Sequence, residues 1–174
     1  MLLAFACLFA KSQQKPLVTG TPISYDGIIK TDSSFKKTKL YSMGIEWFTN
    51  TFNNGKAVLQ MQDLENGIII GKANFYVALS AGGMFGTIVD KYISYFIKLS
   101  FKDGKVKYEL YDFIDQQGGP SITDGEPTYK GMGSKMAKKF YTHIQDQVKI
   151  HANELITSLN KTFTMPITAK NNDW

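Results

Sequence analysis

From Ala57 to Phe113 the chain alternates apolar and polar residues, and the alternation is punctuated by two turn dipeptides, Asn66-Gly67 and Asp103-Gly104. A period of two places successive side chains on opposite faces of a strand. Asn-Gly and Asp-Gly are hairpin signals, and Asn-Gly favours a type I′ turn, in which both residues need positive φ. In AVLQMQD (57–63), Ala57, Leu59 and Met61 fall on one side and Gln60 and Gln62 on the other. Ile69, Gly71, Ala73, Phe75, Val77 and Leu79 then share a face, followed by the glycine-rich connection SAGGMFGT (80–87). YISYFIKLSFK (92–102) turns Ile93, Tyr95, Ile97, Leu99 and Phe101 to one side, and KVKYELYDF (105–113) does the same with Val106, Tyr108 and Leu110. These runs predict an antiparallel meander with one apolar face, which something must cover.

Two helical patterns are suited to cover it. After a short strand, GIIKTD (27–32), Ser33 or Ser34 is placed to cap FKKTKLYSMGIEWFTNTF. At the helical period Leu40, Met43, Gly44, Trp47, Phe48, Thr51 and Phe52 share one arc. Gly44 lies inside it, which permits close approach to another layer. A second stripe, Met136, Phe140, Ile144, Val148, Leu155 and Leu159, predicts a long helix from about Ser134 to Phe163. Between strands and last helix, residues 116–133 form a segment longer than most loops, and such segments are usually functional or mobile. The fold class is therefore α+β: an antiparallel sheet of about five strands with two helices on one face, in the order β-α-β-β-β-β-α. At 174 residues the chain suits one domain, placed at 27–165, after an extended lead-in (13–26) and before a tail (166–174).

The N-terminus carries a compact apolar run, Leu2 to Ala10, followed by Ala10-Lys11-Ser12, a small-x-small cleavage pattern. The run is too short to span a bilayer and resembles the end of a signal peptide (1–12) that lacks its basic leader, as in a truncated start. A lipoprotein signal at Cys7 and a buried N-terminal strand are the alternatives; Ala4-Phe5-Ala6 makes a poor lipobox. Cys7 is the only cysteine, so cleavage after Ser12 leaves none. That excludes disulfides and cysteine chemistry from the mature chain, and export without disulfides fits the bacterial periplasm, cell envelope or exterior. The net charge of +5 comes from scattered lysines, which suits solubility better than a nucleic-acid track.

Further residues carry a family resemblance: Asp63 through Gly67 running into Ile68-Ile69-Ile70-Gly71-Lys72, and Phe101-Lys102-Asp103-Gly104-Lys105 leading to Tyr108 and Asp112-Phe113. With Trp47-Phe48 and Phe52 in the first helix, their order resembles a family of secreted bacterial domains of unknown function (family 4468) with a TBP-like fold, over Ile28 to Asp115. The resemblance implies the fold and an exported location. It brings no activity and no catalytic residues.

ENGIIIGKA (65–73) has the outline of a phosphate-binding loop, but a true one spaces its glycines by four residues and follows Gly-Lys with a hydroxyl. Here three isoleucines separate Gly67 from Gly71 and Ala73 stands in the hydroxyl position, so the stretch is read as a strand and nucleotide binding is excluded. His151 and Glu154 sit one helical turn apart, a ligand-like spacing, yet His151 falls in the apolar arc, His143 on its edge, and no third ligand is evident; a packing role is favoured. Asp112, Asp115, Asp124 and Glu126 offer carboxylates for a hydrolase, without calcium-loop spacing or a nucleophile motif. No catalytic residue, metal ligand or cofactor is assigned, and the chain is read as a non-enzyme.

The face opposite the helices is the candidate site. Strand parity sends Gln60, Gln62, Lys72, Asn74, Tyr76, Tyr92, Ser94, Phe96, Lys98, Lys107, Glu109 and Tyr111 there. Rings among amides and lysines suit a glycan, a peptide or single-stranded nucleic acid, although strands also favour aromatic pairs for their own stability. Lys72, Asn74, Tyr76, Tyr92, Phe96 and Tyr111 are the binding candidates, with an envelope protein, peptide or glycan as partner. The 116–133 loop is a second contributor. Nucleic-acid binding rests on fold analogy alone and conflicts with export.

Overall fold

The computed structural model describes residues 17–18, 20–81, 87–128 and 134–164. Strands β1 (Leu17–Val18) and β2 (Tyr25–Lys30) precede helix α1 (Lys37–Thr51), and a single turn, α2 (Gly55–Val58), leads into the meander. The meander is β3 (Leu59–Asp63), β4 (Ile68–Ala81), β5 (Thr87–Lys102) and β6 (Lys105–Asp115); β7 (Pro127–Thr128) and helix α3 (Ser134–Thr164) follow. Five strands form one antiparallel sheet in the order β2-β6-β5-β4-β3, and β1 pairs with β7 in a separate ribbon. This is the α+β architecture that the periodicities predict. The signal-like run with Cys7, the centre of the glycine-rich connection and the C-terminal tail lie outside the described residues.

Both long helices lie on one face, α1 over β4 and β5 and α3 over β2, β4 and β6. Ile69, Ala73, Val77, Leu79, Ile93, Tyr95, Ile97, Leu99, Phe101, Val106 and Leu110 fill that face from below, as their parity requires. Leu40, Tyr41, Trp47 and Phe48 come down from α1, and Ile144, Val148, Ala152, Leu155, Leu159 and Phe163 from α3. Each large side chain fully buried here contributes about 1.5–3 kcal/mol. Two glycines let the layers close. A Cβ on Gly44 would overlap the Phe101 ring, and one on Gly71 would overlap Phe48. Gly71 of the phosphate-loop lookalike is thus a packing glycine. The Trp47 indole N–H donates to Ser158 Oγ at 3.0 Å and ties the two helices together.

Several local expectations are corrected. The cap of α1 is neither Ser33 nor Ser34: the Lys37 N–H donates to Asp103 Oδ1 at 2.8 Å, so the β5–β6 turn caps the helix from across the chain. This N–H first, and the Lys36 side chain next, hold the Asp103 carboxyl below its usual range. Ser34 instead donates its backbone N–H to Asp32, closing a turn before the helix. Asn66-Gly67 is not a type I′ pair, because only Gly67 has positive φ, at 65°. The β3–β4 connection is a four-residue turn, 64–67, stabilised by Asp63 accepting from both the backbone N–H and side-chain amide of Asn66. Ala57 belongs to α2 rather than to a strand, and Met136, expected in the α3 stripe, is exposed while Tyr141 is buried.

Two bulges change which residues face outward. Between Leu59 and Met61 the register slips, so Met61 pairs with Ile70 and Gln62 with Ile69. Met61 therefore reaches the outer face and Gln62 the helix side, the reverse of simple alternation. In β6 a residue is inserted opposite Ser94 and Phe96, and Asp112 takes a positive φ of 55° to absorb it. The phase change turns Phe113 inward, where its ring stacks on Tyr95 at 5.3 Å.

Candidate functional site

All six binding candidates lie on the face that the helices leave uncovered. Lys72, Asn74 and Tyr76 follow one another on β4, and their β5 partners are Phe96, Ser94 and Tyr92; Tyr111 of β6 pairs with Phe96. Three contacts organise this strip. The Phe96 and Tyr111 rings stack at 5.6 Å with planes 16° apart, and Lys72 Nζ sits 5.4 Å from the centre of the Phe96 ring. Tyr76 and Tyr92 meet edge to face at 5.8 Å. Ser94, between the two aromatic pairs, is buried.

The two pairs differ in what they offer. Phe96 and Tyr111 are half-buried against each other, and burial first, with the nearby Asp112 and Glu109 charges, pushes the Tyr111 phenol up. Tyr76 and Tyr92 remain 50% and 46% exposed, enough ring surface for a ligand to cover. The Tyr76 hydroxyl donates to Asp90 Oδ1 at 2.6 Å, and that bond raises its pKa and keeps it a donor. Asp90 escapes a reading that starts the strand at Tyr92; β4 and β5 pair as far as Ala81 and Thr87. Beyond the strip, Glu109 accepts from Lys107 at 3.0 Å and lies 3.5 Å from Lys98, which depresses its pKa. Glu109 thus bridges the two lysines. Gln60, expected here, turns its amide back to the carbonyls of Ala57 and Val58.

The flank of β4 adds a further property. β3 pairs with β4 only as far as Gly71, whereas β4 continues to Ala81. Among the described residues, no strand pairs with that flank beyond Gly71. Among the described residues the backbone beside Lys72, Asn74 and Tyr76 is therefore an unpaired sheet edge, the kind of edge that can template an added strand.

The other candidates serve the fold. His151 Nε2 lies 2.7 Å from the Tyr95 hydroxyl, and its ring stacks on Phe75 at 4.2 Å. Burial lowers the His151 pKa and raises that of Tyr95, the donor in their shared bond follows the imidazole tautomer, and His151 Nδ1 faces Glu154 at 4.0 Å. His143 stands apart on the exposed side of α3. The carboxylates do not converge. Asp115 pairs with Lys91 at 2.7 Å, Asp124 accepts the Thr21 N–H, Glu126 meets Lys138 and Asp112 stands exposed at its bulge. Among the described residues no group of three or more His, Cys, Asp or Glu is placed to hold a metal ion. Nor is any described helix long and apolar enough to cross a membrane.

The loop meets the strip at its start, where the Gln116 N–H donates to the Tyr92 carbonyl and Gln117 Nε2 to the Asp90 carbonyl, and its later described part turns to the core. Ile122 is buried in the helix-side core and donates its N–H to the Phe113 carbonyl, while Gln145 of α3 holds the carbonyls of Thr123 and Gly125. The Thr123 N–H donates to the Tyr141 hydroxyl. Residues 121–125 thus seal the edge of the core between α3 and the lead-in.

Comparison with known proteins agrees with this architecture. Residues 25–114 match a family described as a domain of unknown function (DUF4468) with TBP-like fold. A crystal structure of a DUF4468 family protein from Bacteroides ovatus superposes with a TM-score of 0.59 at 13% identity, over 87% of this chain and 92% of that one. A TBP-like protein from Parabacteroides distasonis gives 0.48 at 12% identity, over 79% and 92%. None of the curated proteins compared matches the chain.

Proposed function

The chain belongs to the DUF4468 family of TBP-like domains, and from the uncovered face of that fold we propose a non-enzymatic binding module that takes an extended peptide segment of a partner protein. The observation that carries this reading is the coincidence of a free strand edge with a strip of side chains. An added strand beside β4 would pair with backbone groups past Gly71, while its alternate side chains met Lys72, Asn74 and Tyr76. Main-chain bonds give such complexes affinity, and flanking side chains give selectivity. Tyr92, Phe96 and Tyr111 widen the strip with rings that need no partner of their own beyond each other.

Replacing Tyr76, Tyr92 and Tyr111 together by Ser tests the strip. The account expects peptide capture to be lost while the circular dichroism spectrum and cooperative unfolding persist. Capture undiminished in a folded triple variant would sink it, and capture of oligosaccharide in place of peptide would reassign the ligand class. Export belongs to the same reading and is supported by the apolar run from Leu2 to Ala10. N-terminal sequencing of the protein recovered from its host should begin after Ser12; an intact Met1 would contradict export by this signal.

A further inference from the structure

The hairpin end of the same face carries a feature that the aromatic strip does not use. Lys30 of β2 pairs with Lys105 of β6, and Lys105 pairs in turn with Lys102 of β5. Strand parity puts all three on the outer face, so three like charges stand side by side across adjacent strands. Directly opposed like charges destabilise a sheet. Elsewhere on this face the sheet avoids that arrangement, because Lys98 and Lys107 both neighbour Glu109. Among the described residues no carboxylate pairs with Lys30, Lys102 or Lys105.

Beside this row lies a cavity of about 330 Å³, lined by Ile28, Ile68, Ser100, Lys102, Lys105 and Lys107. Its volume is at the small end of ligand-binding clefts. The walls are of two kinds. Ile28 and Ile68 stand at its two ends, on β2 and β4 with Lys107 and Ser100 between them, and Ile28 is 64% exposed, the most exposed large hydrophobic side chain among the described residues. Lys102 and Lys105 give it a cationic side with no internal counterion. A row of ion-paired charge, Glu109 and Lys98, separates it from Phe96 and Tyr111, so it is a site apart from the aromatic strip.

We propose that this cavity binds a small anionic amphiphile. Its phosphate or carboxylate head is held by Lys102 and Lys105, and its short apolar chain lies against Ile28. Neither wall alone accounts for the pair: an anion gains nothing from Ile28, and a neutral apolar molecule gains nothing from the ammonium groups. A bound head group supplies the missing negative charge and relieves the repulsion along the lysine row.

Calorimetric titration of the full chain with hexyl phosphate and hexanoate tests this, with hexanol and inorganic phosphate as the half-ligands. At least one amphiphile is expected to bind about tenfold or more tighter than either half-ligand, a difference well within calorimetric reach; which one binds identifies the head group. Raising the salt concentration should weaken it, since exposed charges are screened. The double variant Lys102→Gln/Lys105→Gln should lose the binding while its Tm stays level or rises, because the substitutions remove like-charge contact. Ile28→Ser, on an exposed edge strand, should weaken the amphiphile and leave inorganic phosphate unchanged. Undiminished binding by the double variant, equal binding of inorganic phosphate, or no binding of either amphiphile would overturn the proposal.

Discussion

The sheet shows two faces built from the same strands, residue by residue in alternation, and they obey different rules. On the covered face every large side chain has a partner supplied by the fold. Phe48 closes on Gly71, Gly44 on Phe101, and Tyr95 lies between Phe113 and His151. On the open face Tyr76, Tyr92, Met61 and Ile28 are exposed large hydrophobics, and lysines stand opposite lysines. The first set is required for folding. The second is tolerated by it, and that is the physical ground for proposing that the open face binds.

If the contrast holds, equivalent truncations on the two faces should differ severalfold. Phe48→Ala removes a fully buried ring and should cost about 3–5 kcal/mol in urea unfolding, enough to threaten the fold. Gly44→Val forces side-chain atoms into the Phe101 ring and should cost about 1–3 kcal/mol, read as an earlier unfolding midpoint with the m-value unchanged. A loss near zero in either would mean the layers are looser than they look.

The covered face also has a pH signature. Burial depresses the His151 pKa, so between the folded value and the ordinary histidine value of about 6.5 the unfolded chain binds the extra proton. Its contribution is complete above that ordinary value and is lost as pH falls through the folded one. Tm measured from pH 8 to 5 should fall on the acid side. His151→Gln, which keeps a hydrogen-bond partner for Tyr95, should flatten that part of the curve; an unchanged slope would assign it to the carboxylates. On the open face, Phe96→Ala breaks one stack and should cost only about 0.5–1.5 kcal/mol while impairing peptide capture. A loss as large as that at Phe48 would erase the distinction between the faces.

Most of this was legible before the structure, for a physical reason. Strand parity and helical periodicity are imposed by burial, and burial is written into side-chain type, so Ile93 through Phe101 and Leu40 through Phe48 could be assigned from the chain alone. Where an extra residue is absorbed by a bulge, parity breaks without a compositional mark. Met61 and Phe113 changed sides for that reason. The cap of α1 was equally hidden, because Asp103 reaches Lys37 only once the β5–β6 turn is folded beside it. The six candidates on the strip followed from parity. The free flank of β4 did not, since it depends on β3 ending early.

The central claim is that the open face takes an extended peptide along β4. The most direct measurement is a nuclear magnetic resonance titration of isotope-labelled protein with a pool of extended peptides, monitored at every backbone amide. The account predicts shifts concentrated at residues 72–78 of β4 and at Tyr92, Phe96 and Tyr111, with α1 and α3 unmoved. Shifts confined to the helices, or none at β4 at saturating peptide, would contradict it.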